Sequence, residues 1–215
     1  MANLTTDRKS IRKDGTLFTH PVGASTVIYA GALTSINSSG YAVPSADSSA
    51  QTFAGKADTR ADNSAGSNGA ASVDGHRSGV FEFNSSGMTQ ADLNQDAYVV
   101  DDNTVGRGIV AQPANVTGVA LKRLPSSRGG TRSLAYTATG TTLAYGGGSA
   151  VNVGAGGEFT LTGADGSQML ANVTAGSLPV GDQSDNIQLR HVRCGKIVEV
   201  VSSASVFVDI LTAAR

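Results

Sequence analysis

Asp96-Ala97-Tyr98-Val99-Val100-Asp101-Asp102-Asn103-Thr104-Val105 is a β-rich apolar run cut off by two carboxylates and an amide. Tyr and Val suit a pleated, half-buried surface, whereas Asp and Asn bond their own backbone and favour a turn. The stretch therefore predicts a strand anchored by Tyr98, Val99 and Val100, with the chain turning over Asp101 to Asn103. Its acidic start also has the opening pattern of a calcium loop, with Asp92, Asn94 and Asp96 at alternate positions. Such a loop needs Gly at its sixth position and a bidentate Glu at its twelfth. Ala97 and Asn103 stand there instead, so the cluster reads as a solvated turn.

The same texture extends outward from this stretch. Gly79-Val80-Phe81-Glu82-Phe83 alternates, which places Phe81 and Phe83 on one face as core residues. Thr89-Gln90-Ala91-Asp92 has the spacing of a helix N-terminal cap and predicts a single helical turn before the Tyr98 strand. Thr26-Val27-Ile28-Tyr29-Ala30 and Tyr41-Ala42-Val43 read as strands of a hairpin or meander about the Asn37-Ser38-Ser39-Gly40 turn, and Thr52 to Ala57 follows. Residues 58–69 are polar and read as a surface loop.

The strongest strand signal is C-terminal. Gly195-Lys196-Ile197-Val198-Glu199-Val200-Val201 and Ser205-Val206-Phe207-Val208-Asp209-Ile210 form a hairpin pattern around Ser202-Ser203-Ala204. Between residues 118 and 190 lie Ser/Gly/Thr-rich sequence and brief β runs at Ser133–Tyr136, Thr142–Tyr145, Ala150–Val153 and Glu158–Leu161. The phrases Leu134-Ala135-Tyr136 and Leu143-Ala144-Tyr145 fit two adjacent strands. Residues 1–23 are polar and irregular and read as an extended arm. Long amphipathic helices are absent throughout.

Composition bounds the function. The chain has 215 residues, 27 of them Gly, with no Trp and 5% aromatic residues, so its core is built from small side chains and gains less per residue from burial. A formal net charge of −1 with 15% charged residues gives no electrostatic footprint for DNA or RNA. The basic cluster Arg8, Lys9, Arg12 and Lys13 reads as a solvated terminus. One cysteine, Cys194, excludes an internal disulfide and fits assembly in a reducing cytoplasm. The start shows no apolar signal region, and no apolar run reaches the roughly 20 residues of a membrane helix.

The chemistry-bearing residues do not assemble into a site. His191 and Cys194 are three apart but lack a second ligand pair for structural zinc. His20 and His76 are isolated. No Gly-x-Ser-x-Gly elbow is present, and Gly146-Gly147-Gly148 and Gly154-Ala155-Gly156-Gly157 are not followed by the Lys-Ser/Thr of a phosphate loop. No catalytic, cofactor-binding or metal-binding residue is assigned, no cofactor is expected, and an enzyme is not expected.

Four pieces taken in order carry a resemblance: Val27 to Leu33; Ala54 to Ala57 with Ala61-Asp62-Asn63; Gly79 to Phe83; and Ala97 to Val105. Cys194 to Val200 and Val206 to Ile210 complete it. Together they resemble the decoration, or cement, proteins that tailed bacteriophages place on the outside of their capsids, with Tyr98 to Val105 the most specific part. The likeness covers about residues 24–110 and 191–211.

The resemblance implies an all-β fold: a compact β-barrel or β-sandwich body over 24–111 together with 191–215, an extended arm over 1–23, and a β-rich insertion over 112–190. It also implies a structural virion protein, made in the host cytoplasm, that binds the major capsid protein on the outer capsid surface. There it would act as a homotrimer at three-fold or quasi-three-fold positions and stabilise the shell against packaged DNA, with no nucleic acid or membrane partner. The alternative is another virion β-protein, such as a fibre, tail or carbohydrate-binding module.

Overall fold

The computed structural model describes residues 15–111, 118–123, 130–136, 140–178 and 180–210, and its regular structure is nearly all β. In chain order the strands are β1 (Leu17–Pro21), β2 (Thr26–Ile28), β3 (Leu33–Asn37), β4 (Ala42–Pro44), β5 (Gln51–Ala57), β6 (Ala61–Asn63), β7 (Ser72–His76), β8 (Val80–Ser86), β9 (Asp96–Val99) and β10 (Thr104–Gly106). They continue as β11 (Ile109–Ala111), β12 (Val119–Arg123), β13 (Gly130–Tyr136), β14 (Thr142–Tyr145), β15 (Val151–Asn152), β16 (Gly157–Thr162), β17 (Gln168–Val173), β18 (Gln183–Leu189), β19 (Arg193–Ser202) and β20 (Ser205–Asp209).

The body joins two β layers. One is a five-stranded sheet in the order β1-β7-β5-β3-β4, with the short β2-β6 ribbon beside it; the other is a closed barrel, β10-β8-β20-β19-β9. Closure leaves the barrel without a free strand edge, the usual site of unwanted pairing. Its interior holds Phe83, Val99, Val105, Cys194, Ile197, Val206 and Val208, and Leu33 of the first sheet joins the same cluster. The expected alternation in β8 holds: Phe83 is buried and Phe81 half-buried, with Val80 and Glu82 exposed. The C-terminal hairpin is β19 paired with β20, offset by bulges after Ile197 and Val200.

The described residues between Ile109 and Leu189 gather around a core of their own. A five-stranded sheet, β11-β18-β13-β14-β15, faces a three-stranded one, β12-β17-β16. Leu134, Tyr136, Leu143 and Tyr145 point inward from the first sheet, and Leu161, Met169, Ala171 and Val173 from the second. β13 and β14 pair with Leu134 opposite Tyr145 and Tyr136 opposite Leu143, so the repeated Leu-Ala-Tyr phrases are two neighbouring strands.

Three local readings of the sequence are corrected. Residues 17–22, expected in an arm, belong to the body: β1 pairs antiparallel with β7, and Phe18 and Val22 are buried. Phe18 fits because Gly75 and Gly55 carry no side chain; a Cβ at Gly75 would stand 2.5 Å from the Phe18 ring. The rest of that arm, residues 1–14, lies outside the described residues.

The polar stretch 58–69 is not wholly a loop. β6 within it pairs with β2, and the Asn63 amide, itself buried, donates to the carbonyl oxygens of Val22, Gly23 and Ser67 at 3.2, 2.8 and 2.9 Å. A polar residue thus serves as an internal brace whose donors satisfy main-chain carbonyls. Finally, β4 pairs with β3 across the predicted Asn37–Gly40 turn, not with β2. Gly31, at φ +89°, redirects the chain between β2 and β3.

Candidate functional site

The stretch Asp96–Val105 is the joint between the two layers of the body. Asp101 Oδ1 accepts the Asn103 N–H at 3.0 Å, and the Val100 N–H donates to the Thr104 carbonyl at 2.9 Å, which closes the turn between β9 and β10. The turn then reaches outward: the Leu33 N–H donates to the Asp102 carbonyl at 2.6 Å, and the Asn84 N–H to the Asn103 carbonyl at 3.1 Å. The Asp101 carboxylate thus fixes the turn, while the main-chain carbonyls of Asp102 and Asn103 accept from the first sheet and the barrel. Among the described residues no group of three or more His, Cys, Asp or Glu is placed to hold a metal ion.

Next to this turn is a shallow dent lined by Gly31, Glu82, Phe83, Asn84, Asn103 and Ser205. Its polar side chains largely satisfy one another. The Ser205 hydroxyl donates to Glu82, and the Asn84 amide and Thr104 hydroxyl donate to Asn103 Oδ1 at 3.2 and 2.8 Å.

An ionic network lies at the neck, where the chain leaves the body after β10 and returns before β19. The Arg190 N–H donates to the Gly108 carbonyl at 2.8 Å, and Arg190 Nε donates to the Arg107 carbonyl at 3.1 Å. Asp47, on the loop between β4 and β5, accepts the His191 N–H at 2.7 Å and faces the Arg190 guanidinium at 3.4 Å and the His191 imidazole Nδ1 at 3.3 Å. Arg107 in turn grips Asp92 with two parallel bonds, Nε to Oδ1 at 2.8 Å and the terminal nitrogen to Oδ2 at 2.7 Å. Two-point contacts of this kind fix orientation as well as adding energy.

Asp92 belongs to the predicted single turn, which is a 3-10 turn over Gln90–Asp92. Its carboxylate accepts the Thr89 N–H at 2.8 Å and the Thr89 hydroxyl at 3.1 Å, so the hydroxyl donates to the carboxylate. Burial pushes the Asp92 carboxyl up; the Arg107 fork and the Thr89 bonds outweigh it and hold the group below its ordinary 3.8.

The remaining candidates from the sequence are dispersed. Cys194 is fully enclosed in the barrel, where its thiol donates to the Ala97 carbonyl at 3.3 Å, while His191 points to Asp47; the pair does not converge. Burial pushes the thiol up to about 12, which suppresses the thiolate needed for metal binding or nucleophilic attack. His76 lies 3.6 Å from Asp58, which also pairs with Lys56 at 3.5 Å, and His20 meets Arg77. No described helix is long and apolar enough to cross a membrane.

Sequence reasoning missed the neck. Asp47 and Arg190 are 143 positions apart, and neither sits in a local motif. The available signal was positional: Arg107-Gly108 and Arg190-His191 flank the stretch that breaks the family-like pattern. Comparison of the chain with protein-family models, with curated proteins and with solved structures finds no match to any of them.

Proposed function

We propose that this chain is a decoration protein of a tailed-phage capsid, a structural protein that binds the major capsid protein on the outer shell and stabilises it without chemistry. The observation that supports this is the physical unity of the pieces that carry the resemblance. Gly79–Phe83, Ala97–Val105, Cys194–Val200 and Val206–Ile210 fall on β8, β9, β10, β19 and β20 or the turns joined to them, and those are the five strands of the closed barrel. Val27–Leu33 and Ala54–Ala57 lie in the layer joined to it through Leu33. The stretch without resemblance, by contrast, forms a separate core between Ile109 and Leu189.

A closed barrel with no free strand edge suits a protein whose task is to hold a shape. A ligand that binds the expanded shell and not its free subunits stabilises each site by ~2.7 kcal/mol at a hundredfold excess over Kd. A trimer contacting three capsid subunits gains further through effective concentration.

The test is a binding assay in which the purified chain is added to expanded and unexpanded capsids of its phage and the bound fraction is read by sedimentation. Saturable binding to expanded capsids, with a raised temperature of DNA release, is the expected result. Absence of binding to either form contradicts the proposal.

A further inference from the structure

We propose that His20 is an acid-sensitive latch on the first strand: the neutral imidazole accepts a hydrogen bond from Arg77, and protonation turns that contact into a repulsion that detaches β1 from β7. The inference is independent of any capsid role.

The chemistry of the contact fixes the protonation state. His20 Nε2 lies 3.1 Å from a terminal nitrogen of Arg77. A guanidinium has only donors and keeps its proton throughout the physiological range, so Nε2 must present a lone pair and the imidazole proton must sit on Nδ1. Adding a second proton removes the acceptor and leaves two cations in contact.

The surroundings offer no compensation. Side chains alternate across a strand, so Phe18 and His20 share one face of β1, and Val73, Gly75 and Arg77 share the matching face of β7 and its exit, in the register Phe18 to Gly75 and His20 to Val73. That face leads into an apolar cluster of Phe18, Val22, Ile28 and Val73. The carboxylate on β7, Asp74, lies on the other face, where the Thr19 hydroxyl donates to it at 2.6 Å. His76 is also on that other face, opposite Leu17; it lies against Asp58, to which Lys56 on β5 is also bound. Among the described residues Arg77 is the one charged group facing His20. Both burial and the Arg77 charge push the His20 pKa below its ordinary 6.5.

The strand is built to respond. β1 stands at the edge of its sheet and pairs along Leu17–Pro21 with β7 alone, while Val22 just beyond it is pinned separately by a bridge to Ala42 of β4 and by the Asn63 amide, so release of Leu17–His20 leaves the other pairings in place. The His20 ring stacks on Phe18 at 4.9 Å between centroids, and Phe18 fills the slot opened by Gly55 and Gly75. A shift of His20 therefore disturbs the one aromatic anchor of the strand. The sign follows from linkage: a depressed folded pKa means that the detached strand binds the proton more readily. The stabilisation is present above pH 6.5 and is lost as pH falls through the lower folded value.

The experiment is hydrogen exchange of the amides of residues 17–20 in the full chain from about pH 7.5 down to about pH 5, corrected for the intrinsic rate. Protection of β1 should fall by up to about tenfold per pH unit between pH 6.5 and the lower folded value, the limit for one proton, and level off below it, while barrel amides keep theirs. His20→Gln, neutral at all pH and able to accept from Arg77, should show a flat profile. Unchanged protection of β1 in the wild type, or the same loss in His20→Gln, overturns the proposal. The imidazole nitrogen shifts of the wild type at neutral pH decide it without a variant: a proton on Nδ1 supports the latch, and a proton on Nε2 overturns it.

Discussion

Arg190 Nε donates to the carbonyl oxygen of Arg107 at 3.1 Å, which joins two residues 83 positions apart where the chain leaves the body and where it returns. The carboxylate of Asp47 completes this closure. Replacing Asp47 with Ala removes the acceptor of the His191 N–H and the counter-charge of an Arg190 side chain that is only 13% exposed. The expected cost is about 1.5–3 kcal/mol, the range for hydrogen bonds to charged groups. Urea denaturation measures it as a lower midpoint, and an unchanged midpoint shows that the neck is held by its backbone bonds alone.

The Asp92–Arg107 pair gives the protein an acid-sensitive contribution to stability. Because the Asp92 carboxyl is held below 3.8, the contribution is fully present above that pH and is lost as pH falls through the lower folded value. Half of the Arg107 side chain is in water, so the pair is worth about 1 kcal/mol. Asp92→Asn should be less stable than the wild type at pH 6, with the difference closing in strong acid. A difference that stays constant across that range contradicts the assignment.

At the alkaline end, the barrel keeps two groups protonated. Burial first, and then the neighbouring Asp96 charge, push Tyr98 up from 10.0 to about 12, and burial does the same for Cys194 from 9.0. Raised folded values mean that this contribution is present below pH 9 and fades as the unfolded chain ionises between 9 and 12. A chromogenic disulfide reagent at about pH 8 should label Cys194 only as fast as the protein unfolds. Rapid labelling of the native chain rules out the enclosed barrel core.

In the core between Ile109 and Leu189, the hydroxyls of Tyr136 and Tyr145 are buried without a hydrogen-bond partner among the described residues. Each unmet hydroxyl costs about 1–3 kcal/mol of desolvation. Tyr145→Phe keeps the ring and removes that burden, so thermal denaturation should show a higher midpoint. A lower midpoint shows that the hydroxyl is satisfied in solution.

The sequence made the all-β class readable wherever apolar residues alternate or run together, as in Phe81/Phe83 and the β19–β20 hairpin. It was less informative where a polar residue takes a core position. Along β1 and the residue after it, the inward face is Phe18, His20 and Val22, a period of two whose middle member looks like a surface residue. Asn63 is buried by long-range bonds to Val22 and Gly23, and nothing in the local pattern of residues 58–69 announces them. The turn at Asp101–Asn103 was legible because Asx chemistry is local. Its tie to Leu33, and the neck formed by Asp47, Arg107 and Arg190, depend on contacts that only the folded chain creates.

The most direct test of the proposed decoration role is electron cryomicroscopy of the phage particles that the proposal assigns to this chain, compared with particles in which its gene is deleted. The decoration reading predicts difference density on the outer capsid surface at three-fold or quasi-three-fold positions, sized for the barrel, its companion sheet and the second core. Difference density confined to the tail or fibres, or none on the particle, contradicts it.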